Sequence, residues 1–180
     1  MSLLRFFGLE AAAPAQQKPE TETVRRIVDA LDRMDSATAR YIAGFAYVLS
    51  RVARADLKVT ERETGAMERI VAEHGGLPEE QAIIVVQIAK AQNQLFGGTE
   101  NFLVTREFNT FATRDQKLAL LDCLFSVAAS EGSISSVEDN EIRQIAGELR
   151  LDHPDFIAVR YRYRNQLSFL RPLPENPSTV

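Results

Sequence analysis

Signals that start and stop helices recur along most of this chain. From residue 21 to residue 170, large apolar side chains recur three and four positions apart, and the alternation of polar and apolar residues found in strands is almost absent. Serine or threonine stands before most of these apolar runs, and Pro78 and Pro154 open two others. The pattern predicts an all-α domain of about eight helices.

The eight predicted helix starts are marked by capping residues or by proline. A side-chain hydroxyl accepts a hydrogen bond from a backbone amide of the first turn, and proline lacks the amide that this turn would leave unpaired. At Thr113 and at Ser135, a glutamine or glutamate three positions later adds the spacing of a capping box. In chain order, the signals are Thr21, Ser36, Thr60, Pro78, Thr99, Thr113, Ser135 and Pro154. The last helix is predicted to include Tyr163 and Leu167.

The two ends of the chain lack this pattern. Apolar residues crowd the segment Leu3–Leu9 around a single Arg5, but the run is too short for a signal peptide or a membrane-spanning helix. We expect the segment to dock on the domain or fray, with a peripheral membrane anchor or a peptide for a partner's groove as the alternatives. We predict an N-terminal segment and linker over 1–20, a helical domain over 21–170 and a proline-rich tail over 171–180.

Composition excludes several classes of protein. The 21 lysines and arginines against 25 aspartates and glutamates give a net charge of −4, so the chain as a whole has no basic surface for nucleic acid. The single cysteine, Cys123, excludes an intramolecular disulfide and a cysteine-rich zinc site, and its apolar neighbours predict a buried thiol. The composition is typical of a cytoplasmic globular domain, with a position at the membrane surface as the alternative.

The helical part contains an internal duplication. When residues 46–72 are aligned with residues 121–147, apolar and capping positions coincide at an offset of 75 residues. The matched pairs include Leu49 with Leu124, Val59 with Ile134, Thr60 with Ser135, Glu63 with Glu138 and Ile70 with Ile145. Because self-similarity at a fixed period indicates a repeated unit, we predict two four-helix repeats, at about 21–97 and 98–170. They would share one core and be related by a pseudo-two-fold axis.

The turn between the second and third helix of each repeat carries the same acidic pattern. We call residues 52–63 the first corner and residues 127–138 the second corner. In each corner, one carboxylate ends a helix and another lies three residues after the cap of the next helix. The four carboxylates are Asp56 and Glu63 in the first corner and Glu131 and Glu138 in the second. Capping explains the later acid of each pair, because it bonds back to the backbone amide of the cap residue.

The earlier acid of each pair has no such explanation. A helix C-terminus carries partial negative charge and favours a cation, so Asp56 and Glu131 need compensation. The facing N-terminus of the next helix supplies it in one interpretation, and a bound hard cation shared with Glu63 or Glu138 supplies it in the other. Carboxylates without nearby cysteine or histidine suit Ca²⁺, Mg²⁺ or Mn²⁺ better than zinc. The first corner does not match an EF-hand loop, because Glu61 stands where that loop has glycine.

The two corners resemble the tellurite-resistance TerB family. The family's pattern is a small residue, an aspartate, a glycine, an aliphatic residue after a spacer, serine or threonine, and then a glutamate that opens a helix, and each corner matches most of it. The resemblance covers about residues 40–170. It implies an all-helical, similarly duplicated fold, an association with tellurite and other stress, and related modules in membrane-attached co-chaperones. It also implies a metal ion at the acidic positions, which correspond here to Asp56, Glu63, Glu131 and Glu138.

The sequence departs from the family's Asp-Gly pattern in both corners. Leu57 replaces the glycine of the first corner, and Glu131 replaces the aspartate of the second. If the glycine position requires a positive φ, Leu57 would be strained or the first corner would be shaped differently.

The last predicted helix alternates arginine with tyrosine. Arg160, Arg162 and Arg164 flank two tyrosines, and residues 156–171 contain no acid. Such a patch is suited to RNA, lipid phosphate or an acidic partner, and the alternative is a solvated face that pairs with acids elsewhere in the domain. We take the three arginines as predicted partner-binding residues, with an unidentified protein as the expected partner.

Catalytic motifs are absent from the sequence. There is no nucleophile elbow, catalytic triad or nucleotide-binding loop, and His74 and His153 stand at helix ends without a partner at motif spacing. We therefore expect a non-enzymatic module that acts in tellurite, stress or metal-ion response by binding, with a divalent cation at the two corners. The alternatives are a metal-free protein-interaction module and a co-chaperone-like adaptor at the membrane surface.

Overall fold

The computed structural model describes residues 19–52, 61–95, 101–130 and 132–170. These ranges contain α1 (Pro19–Asp32), α2 (Ser36–Val52), α3 (Glu61–Gly75), α4 (Glu79–Leu95), α5 (Asn101–Phe111), α6 (Arg114–Ser130), α7 (Ser136–Glu148), α8 (His153–Arg162) and a 3₁₀ turn (Ser168–Leu170). Within them the chain forms eight α-helices and no strand, which confirms the predicted all-α class. None of these helices is long and apolar enough to cross a lipid bilayer.

The centre of the core is built by α2 and α6. Helix α2 contacts α4, α5, α6 and α7, while α6 contacts α2, α3, α7 and α8. The largest fully buried side chains of these two helices are Ile42, Phe45, Leu49, Leu120, Leu121, Leu124 and Phe125. They belong to one continuous apolar cluster, so the two predicted repeats contribute to the same core. The pseudo-two-fold relation between the repeats stays a prediction.

The predicted buried thiol is confirmed. Cys123 has no exposed surface. Burial, assisted by the neighbouring charge of Asp122, raises the pKa of the Cys123 thiol above its ordinary value. The reactive thiolate is therefore disfavoured, and the side chain acts as a small apolar residue of the core.

The helix starts follow the predicted caps at Thr113 and Ser135 and differ from them at α1 and α2, while the predicted caps Thr60 and Thr99 lie outside the described residues. At α6, the Thr113 backbone amide donates to the Gln116 side chain at 2.8 Å, and the Gln116 amide donates to the Thr113 hydroxyl at 3.2 Å, as a capping box requires. At α2, the cap is Asp35 instead of Ser36, because the Asp35 carboxylate accepts bonds from the amides at 37 and 38 and from a neighbouring hydroxyl. Helix α1 begins at Pro19, inside the segment predicted as a linker.

The last helix is shorter than predicted. It ends at Arg162, and the expectation that it includes Tyr163 and Leu167 is wrong. The Tyr163 amide caps the helix end, and the chain then turns back so that Leu167 forms a parallel β-bridge with Ile134. Backbone bonds to the second corner thus replace the bonds that another helical turn would have made.

Candidate functional site

The second corner is the part of the predicted site that the structure describes most fully. Gly132, directly after Glu131, has φ of +104°, a conformation that residues with a Cβ rarely adopt. The backbone of this corner therefore requires a residue that tolerates a positive φ, which explains the glycine of the family's pattern. Its counterpart Leu57 lies outside the described residues.

Glu138 forms the capping box of α7. Its Oε2 accepts bonds from the Ser135 amide at 2.8 Å and from the Ser135 hydroxyl at 2.7 Å, while the Glu138 amide donates to the Ser135 hydroxyl at 3.2 Å. The capping prediction is confirmed. Because an ionised carboxylate offers about four acceptor positions on two oxygens, capping uses only part of its capacity.

The backbone of the second corner is also bonded to the chain that follows α8. The Ile134 amide donates to the Gln166 carbonyl at 2.8 Å, and the Ser168 amide donates to the Ile134 carbonyl at 2.9 Å. Ile134 itself has no exposed surface. The turn is therefore held both by its capping box and by the chain that follows α8.

The other predicted metal ligands are described less fully. Glu63 lies in the first turn of α3, and Asp56 and Glu131 lie outside the described residues. Among the side chains that the structure does describe, no three histidines, cysteines, aspartates or glutamates come together as a metal-binding group. That statement does not extend to Asp56 or Glu131, so the four-residue prediction stays a prediction.

A buried ion network joins α2, the helix before the first corner, to α7, the helix after the second corner. Arg51, in the last turn of α2, is only 2% exposed and contacts Glu148 at 2.5 Å and Glu141 at 2.8 Å. It also donates to the Thr105 hydroxyl at 2.7 Å. Burial works to raise the pKa of Glu148, but hydrogen bonds from Arg51 and from the Gln144 side chain outweigh burial and lower it. The helix that leads into the first corner is thereby tied to the helix that leaves the second.

Sequence reasoning missed this network. Glu141 and Glu148 lie 90 and 97 residues after Arg51, so no local pattern relates them. The available signal is the position of Arg51 three residues after Val48 on the apolar face of the helix. A charged residue on that face requires a buried partner.

The three predicted partner-binding arginines have different roles. Arg160 makes two bonds, at 2.7 and 3.2 Å, to Asp139, whose side chain is 4% exposed. Arg162 contacts Asp122 at 3.1 Å but remains 64% exposed, and Arg164 lies over the ring of Tyr161 at 4.4 Å. Arg160 therefore anchors α8 to α7, while Arg162 and Arg164 belong mainly to the surface.

A second polar cluster, also missed from the sequence, surrounds Asp122. Its carboxylate lies 2.8 Å from His74 Nδ1 and accepts a bond from the Tyr163 hydroxyl at 3.1 Å. Burial, followed by the charge of Asp122, raises the pKa of Tyr163. His74 and Asp122 line a cavity of about 250 Å³ beside Arg162. The cluster links the end of α3 to α6 and to the turn after α8.

The fold and the second corner together define the class of this protein. It is an all-helical module in which a glycine with positive φ and a capping acid shape the corner between two helices. The chain matches the family described as tellurite resistance protein TerB over residues 41–161, which is more than half of its length, and it belongs to that family. The family expected from the corners is thus confirmed. No curated protein and no solved structure matches the chain.

Proposed function

We propose that this TerB-family module acts in tellurite or metal-ion stress response by binding, without catalysis, and that it holds a divalent cation at the second corner. Family membership supports the link to tellurite resistance. The observation that carries the cation proposal is the fixed geometry of the corner, in which Gly132 turns the chain and Glu138 uses one oxygen for its cap. A site held rigid before binding loses less entropy when the ion arrives.

Glu131 and Glu138 are the residues that would hold the ion in the second corner. Two carboxylates form a hard oxygen donor set, which favours Ca²⁺, Mg²⁺ or Mn²⁺. Asp56 and Glu63 would play the same part in the first corner. We place the primary site at the second corner, since Gly132 supplies the turn that Leu57 replaces in the first.

Calorimetric titration of metal-stripped protein with Ca²⁺, Mg²⁺ and Mn²⁺ tests the proposal. Glu138→Gln is the informative variant, because glutamine also serves at this position of a capping box while the carboxylate charge is lost. Glu131→Gln removes the second ligand, and Glu80→Gln, at an exposed acid in the first turn of α4, is the matched control. Binding heat should persist in the control and disappear in both corner variants. Equal heats in all four proteins, or no heat in the wild type, would refute the cation site.

A second candidate function is a metal-free interaction module, or a co-chaperone-like adaptor at a membrane surface. The observation that favours it is the outer face of α8 and the turn beyond it, where Ile157, Tyr161 and Phe169 are 42%, 62% and 46% exposed. Arg162 and Arg164 lie on the same stretch. Crosslinked pull-downs should then capture a partner that survives chelation and is lost when both arginines become glutamate. Arg160 is left unchanged in this experiment, because its substitution would also break the bond to Asp139.

A further inference from the structure

A groove of about 500 Å³ lies where the first turns of three helices meet. Its apolar wall comes from Tyr41 of α2, Leu77 before α4, Phe111 at the end of α5 and Ala119 of α6. Its polar rim includes Asp115, in the first turn of α6. The volume falls in the range of about 300–1,000 Å³ that is typical of ligand clefts, and such clefts are mostly apolar with a few polar groups.

One wall of the groove is held in place by a cation–π contact. The Arg40 guanidinium lies 4.9 Å from the centre of the Phe111 ring and 3.2 Å from a Glu107 carboxylate oxygen. These contacts tie α2 to α5 and position the Phe111 ring as a wall of the groove. Arg40 therefore already has partners within the fold, and the Phe111 ring is left half-buried in the wall of the groove.

We propose that the apolar N-terminal segment of this same chain, Leu3–Leu9, docks into the groove. The segment carries Leu3, Leu4, Phe6, Phe7 and Leu9. Its single charge, Arg5, is opposite in sign to Asp115 on the rim. Arg40 also lines the groove, but its charge is paired with Glu107, so Asp115 is the charged group of the lining that Arg5 can approach.

The length of chain before α1 is sufficient for this docking. Helix α1 has 14 residues and is about 21 Å long at 1.5 Å per residue. It ends in a tight turn, in which the Met34 amide donates to the Leu31 carbonyl, and α2 begins at the groove. The start of α1 thus lies no farther from the groove than about one helix length and the turn that follows it, and residues 10–18 can span about 30 Å when extended. The segment can reach the groove without any change in the helical core.

Covalent linkage makes even weak docking effective. A short flexible linker holds its end near the target at an effective concentration on the order of millimolar. The segment needs only modest intrinsic affinity to occupy the groove for most of the time. Because docking buries the same apolar side chains that would enter a membrane surface, the docked state withholds the segment from lipid.

Paramagnetic relaxation in the full-length protein tests the proposal. Ser2→Cys carries a nitroxide label and leaves every apolar residue of the segment intact, and the buried Cys123 thiol is protected from labelling. The oxidised label should reduce the amide signals of Gly75, Gly76 and Gln81 to less than half of their intensity with the reduced label. The same label in the Leu4→Ser, Phe7→Ser background is the matched control, and it should restore these signals.

Two further samples separate the alternative occupants. Mixing labelled, unenriched protein with unlabelled, ¹⁵N-enriched protein should leave the groove signals intact, since docking is within one chain. When anionic phospholipid vesicles are added to the labelled protein at low concentration, the groove signals should stay broadened, because docking in the groove competes with insertion of the segment into lipid. Broadening in the mixed sample would assign the groove to a second copy. Unchanged groove signals in the labelled protein would refute docking, whether or not the segment binds vesicles.

Discussion

Replacing Arg51 by methionine is expected to lower the free energy of unfolding by about 3–5 kcal/mol, which is the usual cost of breaking a buried ion pair by removing one partner. The side chain of Arg51 is 2% exposed, and that of Glu148 is 6% exposed. Without the guanidinium, Glu148 would retain a buried negative charge close to Glu141. Since domains of this size have about 5–15 kcal/mol of stability, the variant should lose a large share of the total.

A double-mutant cycle in equilibrium urea unfolding measures this effect. The four proteins are the wild type, Arg51→Met, Glu148→Leu and the double variant. The double variant should recover much of the loss, because two apolar residues of similar volume replace a buried ion pair at little cost. Arg40→Met is the matched control, since its ion pair with Glu107 is 47% and 45% exposed and should contribute less than about 1 kcal/mol. If Arg51→Met costs no more than the control, or if the two core substitutions are additive, the pair of Arg51 and Glu148 does not behave as a buried ion pair.

Two further predictions concern the same helices. Because the pKa of Glu148 is lowered in the folded state, the contribution of its carboxylate to stability is complete above the ordinary pKa of 4.5 and is lost as pH falls through the folded-state pKa. In urea unfolding, the difference in free energy of unfolding between wild type and Glu148→Gln should shrink as the pH is lowered through this range. A difference that does not change with pH would contradict this prediction. A Cβ on Gly44 would lie 2.5 Å from the Phe108 ring, whereas one on Gly65 would meet nothing within 4 Å. Gly44→Ala should therefore lower the melting temperature by the equivalent of about 1–3 kcal/mol, while Gly65→Ala should raise it slightly; equal effects would refute the close-packing argument.

Local features of the fold could be predicted from the sequence because their causes are local. The capping boxes at Thr113 and Ser135 involve residues three positions apart, and the bonds found there are those expected. The end of α8 was predicted incorrectly for the opposite reason. The apolar period continues to Leu167, but the backbone there bonds to Ile134, more than 30 positions earlier.

The candidate site shows the same division. The duplicated pattern located the second corner, and the positive φ of Gly132 explains why a glycine belongs there. The pairing of Arg160 with Asp139 depends on how α8 packs against α7, and the approach of His74 to Asp122 depends on how α3 packs against α6. Neither helix packing follows from one amphipathic stripe, so the roles of these charged residues required the tertiary structure.

Paramagnetic broadening by Mn²⁺ tests whether a divalent cation binds at the second corner. Substoichiometric Mn²⁺ added to ¹⁵N-labelled, metal-stripped protein should broaden the amide signals of Gly132, Ile134 and Glu138 before that of Ala82 in α4. Excess Mg²⁺ or Ca²⁺ should reverse the effect, and Glu131→Gln should abolish it. Broadening spread evenly over the acidic surface, or unchanged by Glu131→Gln, would contradict a cation site at this corner.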